Sequence, residues 1–331
     1  MSSFVVALDV GGTSMKGGLV TRSGEIIHID RRTTPRDRGP AAVVATIRSF
    51  IDDLATAGGG TPAGVGLAVP GLVTADAALY SANIGWRDVP ATDFVPLDVP
   101  VMLGHDVRTG GLAESVLGAG RELSDFLFLP IGTGIAGAVI LHGEPYGGSA
   151  GWGGEIGHIP VFPEGEPCAC GQIGCLETYA SASAVARRYS ARATSSTAPA
   201  SPVTVPSTSP VTATAEQVAA LTASGDPLAM EIWGEAVEAL SLALATYTLL
   251  LDPSAIVLGG GLAEAGPLLS VPLAERLGER LAFRDAPPLR QAALGMSAGM
   301  LGAALLGWRA AGFADAGANW SPDVLKSPRV A

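Results

Sequence analysis

The chain has 331 residues, 48% of them hydrophobic, enough to build one large core or two medium ones, and two domains are the more natural expectation. Its formal net charge of −11 argues against a nucleic-acid surface, which carries a basic stripe. No signal-peptide pattern precedes the first apolar run at Phe4, and the most apolar helical stretch, AVEALSLALATYTLLL, is interrupted by Glu238 and reads as too short to span a bilayer, so a cytoplasmic protein without a membrane partner is expected.

The N-terminus, FVVALDVGGTSMKGGLVTRSGEIIHID, predicts a strand ending in Asp9, a tight turn at Gly11, Gly12 and Thr13, a second strand, a turn at Ser23-Gly24 and a third strand. Such a turn can offer backbone N–H groups and a hydroxyl to an anion, because no Cβ blocks close approach. Lys16 lies in this stretch and is one of only two lysines, against eighteen arginines. Further on, GVGLAVPGLVT predicts a buried strand ending at Pro70-Gly71. VPVMLGHDVRTGGLAESVLGAG predicts a strand running into a helix with His105 and Asp106 at its mouth, where active groups of open α/β sheets sit. An aspartate there serves equally well as a helix N-cap.

The opening device returns as FLFLPIGTGIAGAVILHGEPYGG: a run to Ile131, a turn at Gly132, Thr133 and Gly134, then a strand to Leu141. The repetition predicts two similar domains, and two such turns facing each other could hold a polyphosphate. EPCACGQIGCLE contains every cysteine of the chain, Cys168, Cys170 and Cys175, in a C-x-C-x4-C spacing. Three is odd, which fits a disulfide framework poorly; a metal fits better. Tetrahedral zinc takes four N or S donors, and the nearest fourth is His158 in GGEIGHIPVF. The alternative is three inert buried thiols. Residues 191–214, rich in Ser, Thr, Ala and Pro without a hydrophobic period, are expected to form a disordered surface insertion, and the tail 313–331 looks similar. AIVLGGGLAEAG predicts a buried strand, Ala255 to Leu258, leading through Gly259, Gly260 and Gly261 into a helix whose N-terminal N–H groups suit a nucleotide.

In order and spacing these stretches resemble the ROK family of sugar kinases and related repressors, within the actin-like, ribonuclease-H-like ATPase superfamily. LDVGGTSMKGG is similar to its first phosphate motif, LPIGTGIAGA to its second, GGEIGH to its sugar signature, CACGQIGCLE to its zinc motif and IVLGGGLAEAG to its adenosine-side loop; the resemblance spans roughly residues 4–310. It implies an α/β, two-domain actin-like ATPase fold with a cleft between the domains. The smaller N-terminal domain would comprise residues 1–118 plus about 300–312, and the larger one residues 119–299 with the zinc loop. It implies transfer of the γ-phosphoryl group of ATP to the 6-hydroxyl of an aldohexose, glucose or an N-acetylhexosamine such as N-acetylglucosamine, with Mg²⁺ and a structural Zn²⁺, in a dimer or tetramer.

By the same resemblance Asp106 is the catalytic base, and His105, Glu155, His158 and Glu177 meet the sugar. Asp9, Gly11, Gly12, Thr13, Lys16, Gly132, Thr133, Gly134, Gly259, Gly260 and Gly261 serve the nucleotide, its phosphates and Mg²⁺. His158 would bind zinc with Cys168, Cys170 and Cys175 through one ring nitrogen and face the sugar with the other. The chain departs from the family at His105, where asparagine is usual, and at Trp152, where small residues are usual. The alternatives are a ROK transcriptional regulator, for whose DNA-binding domain the eight residues before Asp9 leave no room, and a kinase that draws on polyphosphate.

Overall fold

The structure, a computed structural model, describes residues 3–196 and 212–321. It is a mixed α/β protein with open sheets, and the chain divides into two compact units. Of the described residues, the first comprises those up to Ser124, Ala138–Gly153 and those from Ala292 onward; the second comprises Asp125–Gly137 and those between Gly154 and Gln291. This division differs from the expected one: the first unit takes up Ala138–Gly153 and is the longer of the two, because that segment packs on the helix that follows His105.

In the first unit, β1 (Phe4–Val10), β2 (Ser14–Thr21) and β3 (Ile26–Thr33) form consecutive antiparallel hairpins. α1 (Pro40–Ala57) follows, and then β4 (Val65–Val69) pairs parallel with β1. A small antiparallel sheet of β5 (Leu72–Val73), β6 (Ala77–Tyr80) and β7 (Arg87–Pro90) comes next. β8 (Val101–His105) then pairs parallel with β4 and runs directly into α2 (Asp106–Leu117). The main sheet has the order β3-β2-β1-β4-β8. β1 is central and buried on both faces, so its sequence is a continuous apolar run rather than an alternating one. Its period of two still sorts the core: Val6, Leu8 and Val10 join Ile47, Phe50 and Leu54 of α1, while Val5 and Ala7 join Leu301, Ala304 and Trp308 of the C-terminal helix.

The second unit begins with β9 (Phe126–Pro130). The hairpin of β10 (Ala138–Leu141) and β11 (Glu144–Tyr146) returns to the first unit and packs on α2. The short α3 (Leu176–Ala180) and α4 (Ala182–Ser196) lead to α5 (Ala215–Ala223) and α6 (Pro227–Leu251). β12 (Ile256–Gly259) pairs parallel with β9, the one-turn α7 (Gly260–Ala263) and α8 (Pro267–Arg280) follow, and β13 (Leu289–Gln291) pairs parallel with β12. α9 (Ala298–Ala310) closes the first unit's core against β1, β4, β8 and α2.

Three expectations need correction. Residues 191–196 continue α4, and Thr214 opens α5 through a capping box with Gln217, so the expected disorder of 191–214 fails at both ends; residues 197–211 lie outside the described residues. α6 is 25 residues long, long and apolar enough by those measures to cross a bilayer; Asp226 caps it, Pro227 starts it, and it packs with α3, α4, α5 and α8, burying Ile232, Leu240 and Leu244. Burial therefore distinguishes it from a membrane span, not the shortness expected from the sequence. Finally, residues 313–321 are no loose tail: Trp320 is buried and its Nε1–H donates to the Arg22 carbonyl at 2.9 Å; residues 322–331 lie outside the described residues.

Candidate active site

In the first unit the carboxyl ends of β1 and β8 carry the two aspartates. Asp9 pairs across the first hairpin with Lys16. The turn between them is closed by Gly11 N–H donating to the Ser14 carbonyl at 3.0 Å. It is laced to the end of β3 by the Thr34 hydroxyl, which donates to the Gly11 carbonyl at 2.7 Å. A Cβ on Gly299 would lie 2.3 Å from Asp9 Oδ2, so the glycine at the start of α9 is what admits this carboxyl. Burial first, and the nearby Asp106 charge second, push the Asp9 pKa up to about 7, against the pull of Lys16. Lys16 Nζ donates to Ser297 Oγ at 3.0 Å; burial and Arg31 lower its pKa, while Asp9 opposes them. Sequence reasoning missed Ser297, which is 281 residues from its partner and carries no local signal.

Asp106 is the first residue of α2, and the N-cap is His105, whose Nδ1 accepts from the Arg108 amide at 3.4 Å. The same Nδ1 lies 3.3 Å from Asp106 Oδ1. Unprotonated, this nitrogen caps the helix; protonated, it pairs with the carboxylate. Asp106 keeps 33% of its side-chain surface accessible. Burial raises its pKa to about 6, against the Val107 amide and the Arg108 guanidinium, which lower it. Arg108, also missed from sequence, is buried and donates through Nη1 to the carbonyls of Gly151 and Gly153.

In the second unit, four ligand atoms of His158, Cys168, Cys170 and Cys175 lie within 4.8 Å of one another. His158 Nδ1 is 3.8 Å from Cys168 Sγ, and Cys170 Sγ is 3.7 Å from Cys175 Sγ. A tetrahedral zinc with Zn–S bonds near 2.3 Å sets its sulfurs about 3.8 Å apart, so the donor set fits that ion. The thiols compete for protons. Burial and the neighbouring thiols push Cys175 up to about 12. Cys168 falls to about 7 because hydrogen bonds, led by the Cys170 amide, outweigh its burial. The loop crosses itself tightly: Gly174 has φ +73°, and a Cβ there would strike the Phe162 carbonyl. Glu166 anchors it, accepting from Arg187 and Arg188 while its amide donates to Tyr179 Oη at 2.6 Å.

Glu177, just past the last cysteine, accepts from the Ile135 amide at 2.7 Å through Oε2 and lies against Gly134, where a Cβ would come within 2.5 Å. It thereby meets the turn Gly132–Gly134, which the Ala182 amide braces through the Gly132 carbonyl and the Ser183 hydroxyl through the Thr133 carbonyl. Ile131, preceding that turn, exchanges hydrogen bonds with Gly259 and Leu262, so the third glycine cluster, Gly259–Gly261, sits beside the second turn. Glu155 is half-buried and immediately precedes the 3-10 turn Ile156–His158. A cavity of about 580 Å³ adjoins Gly261 and is lined also by Thr214, Glu216, Trp233 and Glu264. These flanking residues were missed, although the Thr214–Gln217 capping box was legible as a helix start.

The ROK family model matches residues 5–309. The chain belongs to the ROK family. It is 33% identical over 313 residues to a glucokinase of Halalkalibacterium halodurans, covering 92% of this chain and 93% of that one. It is 34% identical to a glucokinase of Thermotoga maritima, covering 91% and 96%. The solved structure of a ROK family glucokinase from Streptomyces griseus, in complex with glucose and AMPPNP, aligns with TM-score 0.76 at 28% identity, covering 93% of this chain and all of that one. This ROK enzyme is thus a phosphotransferase of the ATP-dependent sugar-kinase type, and its two-unit α/β architecture is that of the family.

Proposed function

We propose that this ROK enzyme phosphorylates the 6-hydroxyl of an aldohexose, glucose in the first instance, with Asp106 as general base. The observation that carries the reading is the state of Asp106: at the carboxyl end of a parallel strand, partly accessible, with a pKa raised to about 6. Such a carboxylate is ionised at neutral pH yet basic enough to accept the hydroxyl proton as attack on the γ-phosphorus proceeds. The similarity to glucokinases, one of them solved with glucose, supports glucose over the N-acetylhexosamines.

The remaining roles follow from chemistry. The turns at Gly11–Thr13 and Gly132–Gly134 offer amides to phosphate oxygens, and Lys16 adds a positive charge near the first. The cavity beside Gly261 has the size and mixed lining that an adenosine needs. Asp9, a half-buried carboxyl near a second carboxylate, is the group assigned to Mg²⁺, which when bound neutralises charge on the transferring phosphoryl group. Glu155, Glu177, His105 and the Nε2 of His158 are assigned to sugar hydroxyls. Zinc on Nδ1 would fix both the tautomer and the direction of the His158 ring.

The test is ADP release from ATP and Mg²⁺ with a panel of glucose, N-acetylglucosamine, N-acetylmannosamine and galactose, with polyphosphate replacing ATP in a parallel arm. Glucose with ATP should give the highest kcat/KM. Sugar-independent ADP release across the panel would overturn the proposal.

A further inference from the structure

Of the five tryptophans, four are enclosed: Trp86, Trp233, Trp308 and Trp320 are at most 4% exposed, whereas Trp152 is 55% exposed. It belongs to the loop Gly147–Gly153, which the Gly153 amide closes onto the Gly147 carbonyl at 2.8 Å. The other six residues there are four glycines, a serine and an alanine, so Trp152 is the only large side chain the loop carries. A glycine loop of this kind would ordinarily be slack. Here Arg108 fixes it: its buried guanidinium donates at 3.0 and 3.1 Å to the carbonyls of Gly151 and Gly153, the two residues that flank Trp152. Arg108 lies on the first turn of α2, two residues after Asp106, and the same side chain lines, with His105 and Gly147–Gly151, a cavity of about 580 Å³ in this unit. A buried charge is thus held on two backbone carbonyls, which fixes the backbone on either side of one exposed indole in a loop tied to the first turn of α2.

We infer that Trp152 is an acceptor-contacting, specificity-determining residue that lays its indole against the apolar C–H face of a pyranose, with Arg108 as its positioning residue. An aromatic ring supplies a large rigid contact with few rotors to freeze, which suits a ligand whose edges are all hydroxyl. The contact persists from ground state to transition state, so its loss raises KM and leaves kcat nearly unchanged. The inference rests on the sugar-kinase reading above.

Trp152 is the one solvent-facing indole, so the full-length protein reports on itself. Glucose titration without nucleotide should quench or blue-shift the red edge of the tryptophan emission, and Trp152→Phe should abolish that response. In kinetics, Trp152→Ala should raise KM for the sugar about 5- to 50-fold with kcat within about threefold, and Trp152→Phe should recover most of the loss. Arg108→Lys, which keeps the charge but removes the Nη1 that reaches both carbonyls, should weaken the fluorescence response and raise the sugar KM while the KM for ATP holds. If the wild type turns over a hexose while Trp152→Ala matches it within twofold and the emission is unmoved, the inference falls and the kinase reading stands. An emission response to sugar without turnover upholds the contact and overturns the kinase reading. Silence in both assays overturns both.

Discussion

The aspartate pair of the first unit and the cysteine loop of the second solve the same problem, holding polar groups in a fixed array, by opposite means. Asp9 and Asp106 are placed by regular structure: a hairpin and two parallel strands set their Cα positions, and helices α2 and α9 begin against them. Backbone holds them where their own electrostatics object, and both pKa values rise. The loop between His158 and Cys175 has two isolated bridges, a 3-10 turn and turn-type backbone hydrogen bonds such as those from the Val161 and Phe162 amides to the Gly174 carbonyl, and to these it adds side-chain cross-links at Glu166 and whatever joins its four donors. Substitutions at the aspartates should therefore change chemistry and spare the fold. Substitutions in the loop should change position first and chemistry through it.

Asp106→Asn is the sharpest break. It keeps the shape and the acceptor for the Val107 amide, so sugar affinity should stay within a few-fold while kcat falls by on the order of 10²–10⁴. Steady-state kinetics against equilibrium sugar binding checks this, and full turnover in the variant removes Asp106 from the role of base.

Cys170→Ser probes the other side. The purified wild type should carry about one equivalent of zinc per chain by elemental analysis. The variant should lose it, and with it the aim of His158, lowering sugar affinity roughly 10- to 100-fold while nucleotide binding persists. Metal-free wild-type protein with full activity would mean that the thiols need no ion.

The aspartates also predict opposite pH trends for activity and stability. With Asp106 near pKa 6, kcat should level off above that pH and fall about tenfold per unit below it. For stability, a carboxyl whose folded pKa lies above its unfolded value of 3.8 favours folding when protonated. That contribution is complete below the unfolded pKa and is lost as pH rises through the folded value of about 7 for Asp9. In Mg²⁺-free buffer, Asp9→Asn should raise Tm at pH 8 and lose that advantage near pH 4. A Tm gain of the same size at both pH values removes the ionisation argument.

The parts legible in the sequence share one property: their signals are local. The hairpins of β1, β2 and β3, the strand-to-helix passage at Asp106 and the spacing of the cysteines each occupy a short window, and each appears in the structure. What stayed hidden acts across the chain. Lys16 meets Ser297, Arg108 reaches the loop around Trp152, and Trp320 fills a space beside Gly24 that no pattern in the tail announces. The segment 191–196 misled for a different reason. Its polar composition resembles a linker, yet Arg192 reaches Glu231 and Glu235 on α6, and α4 continues through it.

His105 is where local and distant requirements meet, and its substitution should have the smallest effect. Its Nδ1 caps α2. Asparagine is itself a favoured N-cap, so His105→Asn should preserve the helix start and leave Tm close to wild type, whereas His105→Ala should lose roughly 1 kcal/mol of stability with the cap. If Nε2 contacts the acceptor, His105→Asn changes one hydrogen bond, worth about 0.5–1.5 kcal/mol between neutral partners. Competing sugars feel that change unequally, so the ratio of kcat/KM for glucose to that for N-acetylglucosamine should move about 2- to 12-fold. A ring that only caps the helix and flanks Asp106 would instead alter kcat for both sugars by one common factor. Measuring both sugars with both proteins separates the two roles, and an unchanged ratio confines His105 to the cap.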